Sequence, residues 1–186
     1  MSHTLVFGGA RSGKSALAER LAQASGKEVV YLATSQAGDC EMAARIAHHQ
    51  ERRPPHWTTV EEATALASTL RRLCAPERIV LVDCLTLWLS NLMFSTHADY
   101  PEVGPIDLTP LFTTERAALL AWLDEPATGE VIFVSNEVGM GIVPYGAVSR
   151  AFADEAGRLN QDVAARCGRV LLVAAGLPLA LKGAPC

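Results

Sequence analysis

Eight consecutive residues, Gly8-Gly9-Ala10-Arg11-Ser12-Gly13-Lys14-Ser15, match the spacing G-x-x-x-x-G-K-[ST]. The chemistry this pattern supports is the binding of a polyphosphate. Glycines let the backbone wrap around phosphate oxygens, and successive N–H groups and a helix start face the negative charge. Lys14 can then reach the outer phosphates and the Ser15 hydroxyl can ligate Mg²⁺. The competing reading, a glycine turn that only opens a helix, does not account for the lysine and the hydroxyl at their positions. A metal-bound triphosphate also calls for a carboxylate at a neighbouring strand end. Asp83, directly after Ile79-Val80-Leu81-Val82, has that place; its alternative is a helix N-cap. A third cluster is His48 and His49 among Arg45, Arg52 and Arg53. At helical spacing His49 stands four residues after Arg45, three before Arg52 and four before Arg53, so an imidazole and guanidinium groups could share one phosphate-sized site. Such a histidine could attack an α-phosphorus while arginines stabilise the charge that develops. Solvated histidines on a helix face are the plain alternative.

These residues need a frame that brings strand ends together. Thr4-Leu5-Val6-Phe7 is a short apolar strand that runs into the glycine loop, and 15–24 reads as the helix behind it. A second strand is expected at 28–33 and a helix at 39–53, opened by Asp39 and stopped by Pro54-Pro55. A helix at 60–73 follows, then a strand at 78–83 and a helix at 87–94. Residues 95–110, with Tyr100-Pro101, Gly104-Pro105 and Thr109-Pro110, read as an exposed loop. A helix at 114–123, a strand at 130–135, a helix at 146–167 and a closing strand at 169–174 complete the series. Strands that are apolar throughout and alternate with helices predict an α/β fold: a three-layer sandwich of the P-loop NTPase type, with a mostly parallel sheet and helices on both faces. Ligands of such sheets gather at the carboxyl ends of the strands. Asn136-Glu137, after 131–135, should emerge at that edge, as a substrate or metal contact. Gly139-Met140-Gly141 could serve packing instead, and Gly176 reads as a turn.

At 186 residues the chain is expected to form one domain, 1–186. A net charge of -4 gives no basic stripe for a nucleic-acid backbone, so no nucleic-acid partner is expected. The five cysteines are widely spaced without a C-x-x-C pair, which favours free thiols over a zinc site. Residues 1–7 enter a strand pattern without the features of a signal peptide, and the apolar runs near 79–94 and 170–181 are broken by Asp83, Gly176 and Pro178. The expectation is a cytoplasmic protein with no stable membrane insertion. No Asn-Lys-x-Asp guanine-reading motif occurs, Asp83-Cys84-Leu85-Thr86 lacks the glycine of a GTPase switch, and no transporter-type signature is present. A small-molecule transferase is favoured over a regulatory GTPase or a transporter ATPase. A P-loop kinase of another small molecule, and a GTP-binding module without catalysis, are the alternatives.

Together, Gly8 to Ser15, Tyr31-Leu32-Ala33-Thr34-Ser35, Glu41-Met42-Ala43-Ala44-Arg45-Ile46 with His48-His49, His56-Trp57, Val82-Asp83-Cys84-Leu85-Thr86, Asn136-Glu137-Val138-Gly139-Met140-Gly141-Ile142-Val143-Pro144 and Ala156-Gly157-Arg158-Leu159-Asn160-Gln161 resemble one family. It is the bifunctional adenosylcobinamide kinase/adenosylcobinamide-phosphate guanylyltransferase family of cobalamin biosynthesis. The resemblance implies phosphorylation of adenosylcobinamide and then transfer of GMP from GTP to that phosphate through a guanylylated histidine, giving adenosylcobinamide-GDP. It places the nucleophile at His49, with His48 as the alternative. Nucleotide contacts carry over to Gly8, Gly9, Ala10, Arg11, Ser12, Gly13, Lys14, Ser15, Leu32, Ala33, Thr34, Gln50, Glu51, Arg52, Arg53, Glu61 and Asp83. Glu61, beside Glu62, sits at a helix start in this reading, where a solvated carboxylate is the alternative to a role in guanine or ribose recognition. GTP, with ATP possible in the kinase step, and Mg²⁺ at Ser15 and Asp83 are the implied cofactors. A small corrinoid is the implied substrate, and a homo-oligomer, a trimer, with the nucleotide site completed near a subunit contact, is the implied assembly.

The two readings of Asp83 separate by substitution, because Asn can replace a cap but not a magnesium-linked carboxylate. Asp83→Asn is expected to keep the fold, seen by circular dichroism, and to lose most turnover. Near-normal activity would reject the metal role.

Overall fold

The computed structural model describes residues 3–35, 54–96 and 100–184. Among the described residues, seven segments, most of them apolar, form strands of one sheet: β1 (Thr4–Gly8), β2 (Glu28–Ala33), β3 (Thr58–Glu61), β4 (Arg78–Asp83), β5 (Glu130–Asn136), β6 (Arg169–Ala174) and β7 (Leu177–Lys182). Their spatial order is β3-β2-β4-β5-β1-β6-β7. All pairs are parallel except β6 with β7. A parallel sheet brings the carboxyl ends of its strands to one edge, where ligands bind. In this register Ala33 is level with both Glu61 and Asp83, Asp83 with Val134, and Gly8 with Asn136.

Alternation along each strand sends side chains to opposite faces, and both are dry. One face carries Leu5, Val82 and Phe133 and is covered by four helices: α2 (Leu66–Leu73), α3 (Leu85–Met93), α4 (Pro110–Asp124) and α5 (Ala147–Arg166). The other carries Val6, Leu81 and Val134 and packs on Leu17, Ala18 and Ala22 of α1 (Lys14–Ala24). Helices therefore lie on both faces, as the apolar strands predicted. Helix α1 packs against β1, β4 and β5. Its first residues are thereby carried from the end of β1 across β5 toward β4.

Several elements differ from the sequence expectation. The helix expected at 60–73 is two elements: Thr58, Thr59 and Val60 form strand β3, and α2 begins only at Leu66. β-branched residues suit a strand, and β3 pairs with β2 at the sheet edge, a partner no local pattern announces. Glu61 is thus the last residue of a strand and does not start a helix. Helix α3 starts at Leu85 with Cys84 as its N-cap, whose Sγ accepts from Leu87 N at 3.4 Å. The cap role open to Asp83 falls to its neighbour. Helix α4 begins at Pro110 rather than 114, because Thr109-Pro110 is a helix start: Thr109 Oγ1 accepts from Phe112 N at 3.0 Å and the proline takes the first turn. The expected loop before it is tied down on its described part. Tyr100 Oη donates to Met93 O at 2.7 Å, and Thr109, itself buried, donates to Leu92 O at 2.9 Å. The sheet does not close at β6. Ala175 (φ 52) and Gly176 (φ 79) make a two-residue hairpin turn of the kind that needs positive φ twice, and β7 returns antiparallel. Pro178 is tolerated in this strand because β7 is the sheet edge. The helix expected at 39–53 lies outside the described residues.

Phe133 is fully buried at the sheet centre, in edge contact with Trp122 at 6.4 Å and with the buried ring of His3 at 6.3 Å. Burial pushes the His3 imidazole below its ordinary value, so it sits there uncharged. Phe133→Ala removes the ring from a site with no room to collapse and should cost about 3–5 kcal/mol of unfolding free energy. The shift of the urea midpoint measures it, and a loss under ~1 kcal/mol would contradict this packing.

Candidate active site

The glycine loop follows β1 directly. A Cβ on Gly8 would stand 2.2 Å from Val173 O and 2.9 Å from Ser12 Oγ, so only glycine fits where β1 meets β6. Arg11 (φ 56) and Gly13 (φ 96) hold left-handed conformations that turn successive N–H groups to one side, as in anion-binding nests. Helix α1 then starts with no side-chain cap and no acidic residue in its first turn. Its exposed N–H groups and positive dipole end are left for an anion from outside the chain. Arg11, Ser12, Gly13, Lys14 and Ser15 line a cleft of about 330 Å³ at this point.

Lys14 folds back so that its Nζ donates to Gly9 O at 3.3 Å, an internal bond that a phosphate oxygen could replace. Burial pulls its ammonium below the ordinary lysine value, against the opposite pull of the Asp83 carboxylate among others. Ser12 Oγ is buried without a partner among the described residues. The loop is braced from a side the sequence did not suggest. Gly176 N, at the tip of the β6–β7 hairpin, donates to Ser12 O at 2.8 Å, and a Cβ on Gly13 would come within 3.2 Å of Gly176 Cα. The turn expected at Gly176 is there, and it holds the phosphate loop.

Strand β5 lies between β1 and β4, which separates their ends by two strand spacings, about 10 Å. Asp83 stands half-buried at the end of β4, with its Oδ2 accepting from Tyr31 Oη at 2.9 Å. Ser15 is carried toward it on α1. Among the described residues no three His, Cys, Asp or Glu side chains cluster to hold a metal by themselves. A hard cation here would draw on Asp83, Ser15 and phosphate oxygens, the mixed set that Mg²⁺ accepts. Next to Asp83, burial pushes the Cys84 thiol up to about 12, which keeps it protonated. Cys74, Cys84 and Cys167 are free thiols, as the spacing suggested.

The remaining candidates divide by position. Leu32 and Thr34 have no exposed surface and Ala33 is buried, so their side chains support the edge from within. Thr34 does so through specific bonds: its Oγ1 donates to Cys84 O at 2.7 Å and accepts from Cys84 N at 2.9 Å. Asn91 Nδ2, missed by the sequence reading, ties Thr34 O at 2.7 Å and Ala63 O at 3.0 Å. Glu61 is exposed at the end of β3, level with Ala33. Burial alone would raise the adjacent Glu62 carboxyl, but donation from Thr64 N, Ala65 N and Thr69 holds it below the ordinary value. It fixes the turn that leads into α2. His48, His49, Gln50, Glu51, Arg52 and Arg53 lie outside the described residues. Asn136 N donates to Thr86 Oγ1 at 2.7 Å and Glu137 N to Gly8 O at 3.0 Å, so the segment after β5 is bonded to the phosphate loop on one side and to α3 on the other.

A phosphate loop opening an uncapped helix, with a carboxylate two strands away on a mostly parallel sheet, defines a protein of the P-loop NTPase class. The profile of the family described as cobinamide kinase / cobinamide phosphate guanyltransferase matches residues 4–181. The bifunctional adenosylcobalamin biosynthesis protein CobP of Pseudomonas aeruginosa is 54% identical over 181 residues, 97% of this chain and 98% of the relative. The corresponding protein CobU of Escherichia coli is 42% identical over 180 residues, 96% and 98% of the two chains. A type III secretion ATPase of pathogenic bacteria superposes with a TM-score of 0.56 at 13% identity, over 96% of this chain and 56% of that one, a likeness of fold alone. The chain belongs to the cobinamide kinase / cobinamide phosphate guanyltransferase family.

Thr34→Val preserves shape and removes the hydroxyl, leaving the Cys84 N–H without its buried partner. The expected loss is about 1–3 kcal/mol in urea unfolding, with turnover falling as Asp83 loosens, while Thr34→Ser restores both. A valine variant as stable and active as the parent would show that the two bonds hold nothing in place.

Proposed function

We propose that this chain, as a single domain, phosphorylates the aminopropanol hydroxyl of adenosylcobinamide and then transfers GMP from GTP to the new phosphate, giving adenosylcobinamide-GDP. The observation that carries the reading is the uncapped start of α1 behind a loop with positive φ at Arg11 and Gly13, in a chain that belongs to this family. That loop suits both half-reactions. In the first, the hydroxyl oxygen attacks the γ-phosphorus and a nucleoside diphosphate leaves, with GTP or ATP as donor. In the second, a histidine nitrogen attacks the α-phosphorus of GTP and pyrophosphate leaves. The phosphate oxygen of adenosylcobinamide phosphate then displaces the histidine from the guanylyl group.

In the two steps that consume a triphosphate, negative charge moves onto a phosphate leaving group. The loop N–H groups, fixed before substrate arrives, would hold that charge, joined by Lys14 once it leaves Gly9 O. Magnesium bound with the triphosphate would neutralise further charge, and Ser15 and Asp83 are the residues to hold it. The nucleophile is assigned to His49, with His48 as the alternative, and Arg52 and Arg53 with Gln50 and Glu51 to the phosphate and nucleotide contacts beside it. Glu61, exposed at the same sheet edge as Asp83, is assigned to the ribose or guanine. The assembly proposed from the family resemblance is a homotrimer of a cytoplasmic enzyme. Among the described residues no helix is long and apolar enough to cross a membrane.

Incubation with GTP labelled at the α-phosphate should leave an acid-labile, base-stable adduct on the protein. His49→Ala should abolish it and His48→Ala retain it; the reverse result would move the nucleophile to His48. A γ-label should appear on the corrinoid instead. No adduct on the intact enzyme would remove the guanylyl-histidine step.

A further inference from the structure

Helix α5 and the edge strand β7 leave space between them along part of their length. The result is a groove of about 550 Å³ between α5 and β7. Phe7, Val170, Ala164, Leu181, Met140 and Gly157 line it. Leu181 is 54% exposed and Met140 78%, although both are apolar.

We propose that this groove seats the corrin ring of the acceptor substrate, an inference that rests on the functional reading above. Three observations select that occupant. The first is position. Glu137 lines the groove, and its N–H is bonded to Gly8 O at 3.0 Å, so the groove ends where the phosphate loop begins. A ligand lying in it can present a side chain to the nucleotide without leaving its seat. The second is charge. Lys182 spends its ammonium on Ala164 O and Ala165 O at 3.1 and 2.9 Å, and Glu137 spends its carboxylate on the N–H groups of Gly139 and Met140. Neither is set to receive a polyanion, which leaves the groove to a ligand that is apolar with neutral polar groups. The third is an unmet acceptor. Asn160 Nδ2 donates to Asn136 O at 3.0 Å, while its Oδ1 is buried without a partner among the described residues. A buried acceptor without a donor is unfavourable, and a carboxamide N–H supplies one. A corrin macrocycle is flat, edged with methyl groups and carries primary carboxamides. Its rim matches the apolar walls and its amides match Asn160 and Gln161, which line the groove.

The groove also borders an edge strand, so a second copy of this chain is the competing occupant. Gly157 offers a clean probe, since a Cβ added there meets nothing within 4 Å and the helix backbone is left undisturbed. Binding of adenosylcobinamide by equilibrium dialysis, read from its own visible absorbance, is to be compared for the parent, Gly157→Ala, Gly157→Phe and Met140→Glu. The alanine variant should bind like the parent. The phenylalanine fills the groove and the glutamate charges its exposed wall, and each should weaken corrinoid binding at least tenfold, with GTP affinity, melting temperature and sedimentation coefficient unchanged. Equal corrinoid affinity in all four proteins would overturn the site. So would a loss of affinity accompanied by a changed sedimentation coefficient, which would give the groove to a second copy. A parent protein that binds GTP but no adenosylcobinamide would bring down the functional reading itself, and the groove assignment with it.

Discussion

The carboxyl edge of the sheet is held by hydrogen bonds that run from strand to strand, and the candidate site depends on them. Glu62 N bonds Ala33 O, Thr34 clamps both backbone groups of Cys84, Thr86 takes Asn136 N, Glu137 N reaches Gly8 O, and Gly176 N closes the series on Ser12 O. Each bond joins residues from different elements just past their strand ends, where the ladder bonds stop and backbone groups would otherwise need water. The edge is therefore fixed before any nucleotide arrives. Fixed donors are what phosphoryl and nucleotidyl transfer need, since charge stabilisation costs least when nothing has to reorganise.

Electrostatics at this edge is local. A chain of net charge -4 presents a phosphate site through one uncapped helix start, one partly buried lysine and a left-handed arginine. The helix end is effective because no side chain satisfies it: a side-chain cap would compete with the phosphate for the same N–H groups. Lys14 meanwhile rests on a backbone carbonyl, a partner weaker than a phosphate oxygen.

The two faces of the sheet are covered unequally. Among the described residues α1 covers one and four helices the other, and a groove remains between α5 and β7. That division lets a nucleotide site and an apolar groove share the single edge formed by Gly8, Asn136 and Glu137. An enzyme that moves groups from a nucleotide to a bulky acceptor needs two such seats within reach of each other. The β6–β7 hairpin serves both, bracing the phosphate loop with its turn and walling the groove with its second strand.

The sequence by itself determined the phosphate loop, its strand and helix, the carboxylate at the end of β4 and the parallel order of the sheet. Each of these is written in contiguous residues whose spacing follows from local geometry: 8–15 for the loop, 78–83 for a fully buried strand. Tertiary structure decided the rest. Strand β3 exists because Thr58 to Glu61 pair with β2, which moved Glu61 from a helix start to a strand end. Strand β7 exists because it pairs with β6, beyond the strand at 169–174 expected to close the series. Thr34 stands fifty residues from the Cys84 it holds, and Gly176 much farther from Ser12. Such bonds leave no periodicity to read, because what makes a buried hydroxyl or a turn N–H functional is the partner that folding brings to it, and that partner lies outside any local window of the chain.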